Sequence, residues 1–304
     1  MTRTEVQDPS QISSLNSNQI PNQNPNQGEA KAQIFDYDKW FKKASELKRS
    51  YQTDRPFPHI VMDGIVNPDL ARQAAADYAA VDWQSYRHYN ENKQGGNAKT
   101  LPSSVATLIG ELNSPEFLKF LTELTGIENL IADPGLTSAG PHQSERGGFL
   151  NIHADFTVHP YRHEWRRRLN VLVYLNEGWQ DDWGSHLELW SRDMKECQVK
   201  VAPIFNRCVV FSTDETSFHG HPEPTTCPPG VKRKSIALYY YSIDRTTVPI
   251  STEYRARPKD NSFKAVLIFI DKLALRTFHK LKSTFNIPDT FVTRIMDLLP
   301  KKRK

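Results

Sequence analysis

The sequence predicts an α+β domain built on a β-sandwich or barrel, and two features of the 304-residue chain carry that prediction. The first third shows apolar residues at helical spacing with clear start and stop signals. The middle consists of short runs rich in β-branched and aromatic residues, separated by turn residues. Helices in front of many short strands suit one mixed domain. A composition of 38% hydrophobic and 11% aromatic residues suffices for its core.

Residues 38–51 (DKWFKKASELKRSY) have helical spacing, and 55–61 (RPFPHIV) read as an extended entry strand. Pro68 opens a helix through Tyr78, with Asp69 in its first turn. Ser114, Pro115 and Glu116 start the helix FLKFLTELTG, and Gly126 stops it. The expected strands are 148–153 (GFLNIH), 168–176 (RLNVLVYLN), 186–190 (HLELW), 207–212 (RCVVFS) and 235–243 (SIALYYYSI). From Ser262 onward the pattern is helical again, broken by Pro288 and closed by the basic KKRK at 301–304.

Residues 1–30 are rich in Asn, Gln, Ser and Pro and have almost nothing to bury, so they read as a disordered tail. Residues 31–250 then form the main domain, with its chemistry in 140–243, and 251–304 form a helical C-terminal extension with a basic tail. A net charge of +4 on this length does not call for nucleic acid. The three cysteines Cys197, Cys208 and Cys227 make no disulfide framework and no CxxC pair. The longest apolar run, 265–270, is far shorter than the roughly 20 residues a membrane span needs. The expectation is a cytoplasmic protein without a transmembrane segment.

His153 and Asp155 close the strand FLNIH. Residues i and i+2 of a strand share a face, so an imidazole and a carboxylate aim at one point. A second imidazole from an opposing strand would complete the two-histidine, one-carboxylate set that holds non-haem iron(II) with open positions. Alone the HxD pair is a weak signal, since a histidine beside an aspartate is often just a hydrogen-bonded pair. The segment FSTDETSFHGHPEP offers His219 and His221. His219 is favoured because it follows Phe218 and lies further from the Pro-rich turn. His221 is the alternative ligand or a contact beside the metal. Arg233 opens the strand SIALYYYS and shares a face with Ser235. A guanidinium paired with a hydroxyl can grip a carboxylate.

The stretch from about Gly147 to Ser242 resembles the prolyl-4-hydroxylase-like branch of the iron(II)/2-oxoglutarate-dependent dioxygenases, through GGFLNIHADF, RRLNVLVYLNEGW, GSHLELW, NRCVVFS, SFHGHP and RKSIALYYY. It covers about a third of the chain. The resemblance implies a double-stranded β-helix, a distorted jelly roll, supported by N-terminal helices. It implies iron(II) on His153, Asp155 and His219, and 2-oxoglutarate anchored by Arg233 with Ser235 and Tyr174. It also implies dioxygen as co-substrate, ascorbate as a supporting reductant, and release of succinate and carbon dioxide. Relatives that halogenate have a small residue where this chain has Asp155, so hydroxylation or another oxidation is expected. Many relatives carry Gly-Gly where this chain has Gly184 and Ser185.

A small-molecule substrate is favoured over a protein, since no peptide-binding repeat accompanies the domain; a prolyl hydroxylase acting on a protein is the alternative. The rivals from other classes are a non-catalytic jelly-roll binding module, a zinc hydrolase and a basic nucleic-acid binder. Arg162, His163, Arg166, Arg167 and Arg168 form a basic loop that either overhangs the site or is simply solvated, at even odds. On the strand 168–176, Leu169, Val171, Val173 and Leu175 read as core, while Asn170 could touch substrate or 2-oxoglutarate. Gln143 could line the pocket, and Tyr239, Tyr240 and Tyr241 read as strand packing. The stretch 263–299 reads as a helix packed on the domain.

Overall fold

The structure, a computed structural model, describes residues 33–285; the side chains of 275, 276 and 278–285 are outside that description. The expected tail at 1–30, the break at Pro288 and the basic KKRK lie outside the described residues. Helix α1 (Tyr37–Thr53) begins where the Asp36 carboxylate accepts from the Lys39 amide, and strand β1 (His59–Asp63) follows. Helix α2 (Pro68–Asp77) has Asn67 as its cap and Pro68 at its first position. A hairpin, β2 (Trp83–His88) and β3 (Glu91–Gly96), separates it from α3 (Ser103–Leu112) and α4 (Pro115–Thr125). Ser114 caps α4 on the Phe117 amide, and Gly126 ends it at φ 75°, a conformation that favours glycine.

The sheet strands are β4 (Ile131–Ala132), β5 (Gly140–Ser144), β6 (Phe149–Ala154), β7 (Trp165–Tyr174), β8 (Leu187–Trp190) and β9 (Cys197–Val201). They continue as β10 (Arg207–Ser212), β11 (His219–His221), β12 (Arg233–Ile243) and β13 (Glu253–Tyr254), before the last helix α5 (Ser262–Phe285). The antiparallel order is β1-β10-β7-β12-β5-β3-β6-β11-β8-β9. From β5 to β12 the strands fall into two four-stranded groups, β5, β7, β10, β12 and β6, β8, β9, β11, and the chain crosses between them at every step except the β8–β9 hairpin. That alternation is the double-stranded β-helix.

The two ends of the strand order meet inside. Tyr174, Val209 and Phe211 from β7 and β10 pack with Leu187, Leu189 and Val201 from β8 and β9, together with Phe57. The sheet is therefore rolled into a nearly closed barrel. On its outer face, Leu169, Val171 and Val173 pack against the helices through Val105, Leu108 and Phe120, which lie in one large core. The even spacing along β7 thus separates helix-facing core from barrel interior, as the sequence implied. Tyr240 also faces the helices, where its hydroxyl donates to the Leu112 carbonyl at 2.7 Å.

Two features depart from the sequence expectation. The hairpin β2–β3 is absent from the sequence reading because its residues, WQSYRH and ENKQGG, are polar and lack strand periodicity; pairing with β5 and β6 supplies what propensity does not. The segment after residue 250 is not helical throughout, since β13 pairs with β6, setting Tyr254 opposite His153. No helix among the described residues is long and apolar enough to cross a membrane.

His88, at the end of β2, joins the hairpin to α5. Its ring nitrogens lie 2.8 Å from Asp271 and 2.9 Å from Glu91. Burial alone would lower its pKa, but bonds to these two carboxylates outweigh it and push it up to about 9. The stability this gives is fully present below the ordinary histidine value of about 6.5 and is lost as pH rises through about 9. Between about pH 6 and pH 10 the thermal midpoint of the native protein is expected to fall by roughly 5 °C more than that of His88→Asn. Parallel curves for the two would show that the ion cluster contributes no stability.

Candidate metal centre

Strands β6 and β11 are antiparallel neighbours, and their register sets His153 directly opposite His219. Asp155 follows the end of β6. One ligand atom from each of His153, Asp155 and His219 lies within 4.8 Å of the others. The His219 Nε2 is 3.3 Å from Asp155 Oδ2, and the His153 Nε2 is 3.6 Å from Oδ1. Each ring is fixed from behind: His153 Nδ1 bonds the Asn151 carbonyl and His219 Nδ1 bonds the Ser217 carbonyl, both at 2.9 Å. A carbonyl can only accept, so Nδ1 carries the proton and the Nε2 lone pair faces the carboxylate. Burial, with His219 close by, lowers the His153 pKa and keeps the ring neutral. Two imidazole lone pairs and one carboxylate are a donor set that fits a divalent transition metal.

Asp155 is braced by two residues of β7. Arg167 Nη2 lies 2.9 Å from Oδ2, and Asn170 Nδ2 donates to the same oxygen at 2.8 Å. Asn170 in turn accepts two bonds from Arg167. Burial would raise the Asp155 pKa, but the Arg167 guanidinium outweighs that and holds it well below the usual range. The aspartate is therefore an anion at neutral pH. Its Oδ2 is taken up by these donors, while Oδ1 faces His153.

This bears on two expectations. Arg167 does not belong to a solvated loop: its side chain is 1% exposed, and its guanidinium lies 3.5 Å from the centre of the Tyr239 ring. Asn170, expected beside the substrate or 2-oxoglutarate, donates to Asp155. Sequence parity places Arg167 with Leu169 and Val171 on the helix-facing side. The register between β7 and β12 slips here, so that Leu169 opposes Tyr240 while Arg167 opposes Tyr241. The extra residue, Arg168, is a bulge that turns Arg167 toward Asp155. Arg166 does lie at the surface and pairs with Asp244.

Arg233, Ser235 and Tyr174 come together on β12 and β7. Ser235 is the cross-strand partner of Tyr174, and Arg233 Nη2 donates to the Tyr174 hydroxyl at 3.3 Å. Arg233 Nε donates to the Ser185 carbonyl at 3.0 Å. The guanidinium is buried, and among the described residues no carboxylate pairs with it. Burial lowers its pKa, partly offset by Tyr174. A buried cation without a counter-ion is costly unless an anion arrives to pair with it.

His221, the alternative ligand, is not in the three-residue cluster. A register irregularity separates it from His219, and its Nδ1 meets the Ser185 hydroxyl at 3.2 Å. Burial and the nearby Arg233 hold its pKa well down. Ser185, the departure from Gly-Gly, therefore joins His221 to Arg233. It does so at φ 57°, a left-handed conformation that a serine tolerates less well than glycine. Gln143 meets Gln94 of β3 at 2.7 Å and braces the hairpin instead of lining the site.

The hairpin adds groups that sequence reasoning missed. Lys93 of β3 lies close enough to feel Asp155 and Tyr239, and it is ion-paired with Glu91 at 3.0 Å. His142 on β5 is pushed down to about 3 by burial and by Lys93, so it is neutral. No spacing rule links residues 91 and 93 to 155, because β3 joins the barrel from outside the run of consecutive strands.

Comparison with known proteins adds a family. Residues 139–241 match the model of the 2OG-Fe(II) oxygenase superfamily. A Pseudomonas putida prolyl-4-hydroxylase is 19% identical, over 64% of this chain and 98% of its own, with a TM-score of 0.45. A Trichoplax adhaerens prolyl hydroxylase, solved with a hypoxia inducible factor oxygen degradation domain peptide, is 18% identical over 66% and 92%, with a TM-score of 0.48. HygX from Streptomyces hygroscopicus, solved with nickel, 2-oxoglutarate and hygromycin B, is 11% identical over 60% and 82%, with a TM-score of 0.42. No curated protein matches.

Removing Arg167 leaves the Asp155 charge buried beside two histidines. In the metal-free protein, Arg167→Met is expected to lose about 3 kcal/mol of unfolding stability, measured by urea denaturation. A loss under about 1 kcal/mol would show that Asp155 is compensated elsewhere.

Proposed function

Residues 139–241 form a domain of the 2OG-Fe(II) oxygenase superfamily, which makes the chain a 2-oxoglutarate-dependent iron dioxygenase, and from that premise we propose that it hydroxylates a C–H bond of a small molecule. In this reading His153, Asp155 and His219 hold iron(II), and Arg233, with Ser235 and Tyr174, receives the distal carboxylate of 2-oxoglutarate. The bound iron, with 2-oxoglutarate and dioxygen, supplies the oxidising chemistry, with succinate and carbon dioxide as co-products.

The observation that carries the reading is the pairing of a preformed donor set with an uncompensated guanidinium. The rings need no tautomer change to ligate, because their Nδ1 atoms are already committed to backbone carbonyls. Arg167 and Asn170 hold Asp155 charged and limit its rotation. Arg233 contributes a buried positive charge that a dicarboxylate would neutralise, strengthened by the low dielectric of the interior. The carboxylate at position 155 occupies the place that a halide would need, which favours hydroxylation.

The small-molecule preference rests on the surroundings. His153 and His219 are each 5% exposed, so the reacting carbon must reach an enclosed point. Lys93, His142 and Tyr239 gather polar groups near it, which suits a compact polar substrate.

Anaerobic addition of iron(II) and then 2-oxoglutarate is expected to give a visible charge-transfer band. Arg233→Met should need roughly 10- to 100-fold more 2-oxoglutarate to form it, the value of a lost charge-assisted bond. Metal binding without any band would sink the reading and favour a hydrolase or a binding module. In air, the enzyme incubated with cell extract should add oxygen to a metabolite only when 2-oxoglutarate is present. Oxygen found solely on peptides would replace the small molecule by a protein substrate.

A further inference from the structure

Helix α5 is held to the barrel in an unusual way. Among its described side chains only Ile268 is buried, while Phe263, Val266, Phe269, Ile270 and Leu273 are each more than half exposed. Apolar burial therefore contributes little to its docking. Polar contacts take that place, and they converge on Asp271.

Asp271 grips the turn between β2 and β3. Its Oδ2 accepts from Asn90 Nδ2 at 2.6 Å and from His88 Nδ1 at 2.8 Å, and its Oδ1 accepts from the Tyr89 amide at 3.3 Å. Asn90 Nδ2 also reaches the Ile268 carbonyl at 3.3 Å. Asn90 is fully buried, so these bonds replace water it cannot reach.

From Asn90 the contacts run directly to the metal-facing strand. The Asn151 amide donates to the Asn90 carbonyl at 2.8 Å, and Asn151 Nδ2 donates to Asn90 Oδ1 at 3.1 Å. The Asn151 carbonyl is the acceptor that fixes the His153 ring at 2.9 Å. A second route leaves the same helix: Lys272 pairs with Glu253 at 2.9 Å, and the next residue, Tyr254, packs its ring against His153 at 5.4 Å between centroids.

We infer that Asp271 is a positioning residue for the oxygenase site: by clamping the Tyr89–Asn90 turn it holds Asn151, and through Asn151 the orientation of His153. The inference rests on the assignment of His153 as a metal ligand. It gives α5 a role in activity although none of its described side chains belongs to the centre itself. Outer partners that orient a metal-binding histidine are worth about 10- to 100-fold in metal affinity when removed.

The test is a cobalt(II) titration of the full-length protein, followed by the visible absorption of the bound ion. Asp271→Asn is expected to weaken binding about tenfold at temperatures where its circular dichroism matches the wild type. Lys264→Met, which cuts the α5 contact to Asp260 but leaves the turn intact, should bind as the wild type does. Asn90→Ala should weaken binding similarly, and the double variant Asp271→Asn/Asn90→Ala should lose less than the product of the two, because both act through one route. Wild-type affinity in a folded Asp271→Asn variant overturns the inference, even if its thermal midpoint falls. Should that variant not fold, wild-type affinity in Asn90→Ala overturns it instead. Failure of the wild-type protein to bind cobalt at all would count against the metal assignment rather than against the role of Asp271.

Discussion

The pairing of β6 with β11 is the constraint on which the rest depends. It places two imidazoles directly opposite each other, on strands from one four-stranded group of the barrel. A shift of one residue would turn one ring to the outer face and end the cluster. That register is pinned from several sides. Gly220, between the two β11 histidines, has no room for a side chain: an added Cβ would sit 2.8 Å from the Leu150 carbonyl oxygen. On the outer face, Ile152, Ala154, Trp190 and Phe218 pack together, so slippage would also expose apolar surface.

Charge is distributed around the centre in two different ways. Asp155 is a buried anion with its compensation built in, since Arg167 sits against it and Asn170 fills the remaining bonding capacity of Oδ2. Arg233 is a buried cation whose compensation is not built in. The first arrangement holds a carboxylate charged and oriented beside two imidazoles, as a metal ligand would need, at the cost of desolvating two ions. The second gives up stability in the unliganded protein in return for attraction toward a carboxylate. Folding alone would favour a smaller neutral residue at 233, and that conflict between stability and local chemistry is a common signature of a binding site.

Much of this was legible in the sequence because it follows period-two alternation. His153 and Asp155 flank one residue, Arg233 and Ser235 flank another, and the apolar face of β7 reads directly from Leu169, Val171 and Val173. What alternation cannot show is a bulge. Arg168 reverses the facing of Arg167, so a residue that reads as part of a basic surface run becomes the partner of Asp155. Nor can local patterns show a strand recruited from elsewhere. The hairpin β2–β3 is polar and glycine-containing, and it becomes a strand pair only because β5 and β6 offer free edges. Ser185 is a third kind of case: the serine is visible as a departure, but its left-handed backbone and its bond to His221 depend on the folded turn.

The segment that matches the oxygenase family, residues 139–241, contains every candidate ligand but not everything that orients them. Asn151 is held by Asn90, from well before that segment, and Tyr254 packs on His153 from after it. Arg257, buried and paired with both Glu223 and Asp260, ties the chain beyond β13 back to the loop that follows His221. Backbone bonds inside the barrel set the distance between the two histidines, yet a ring can still rotate about its own side-chain bonds. The contacts that oppose such rotation come both from inside the segment, at the Asn151 and Ser217 carbonyls, and from its flanks, where Asn90 holds Asn151 and Tyr254 packs on His153. A barrel of this kind can therefore keep one reaction while its flanks differ, provided that some flanking group takes over the restraint on His153 that Asn90, through Asn151, and Tyr254 supply here.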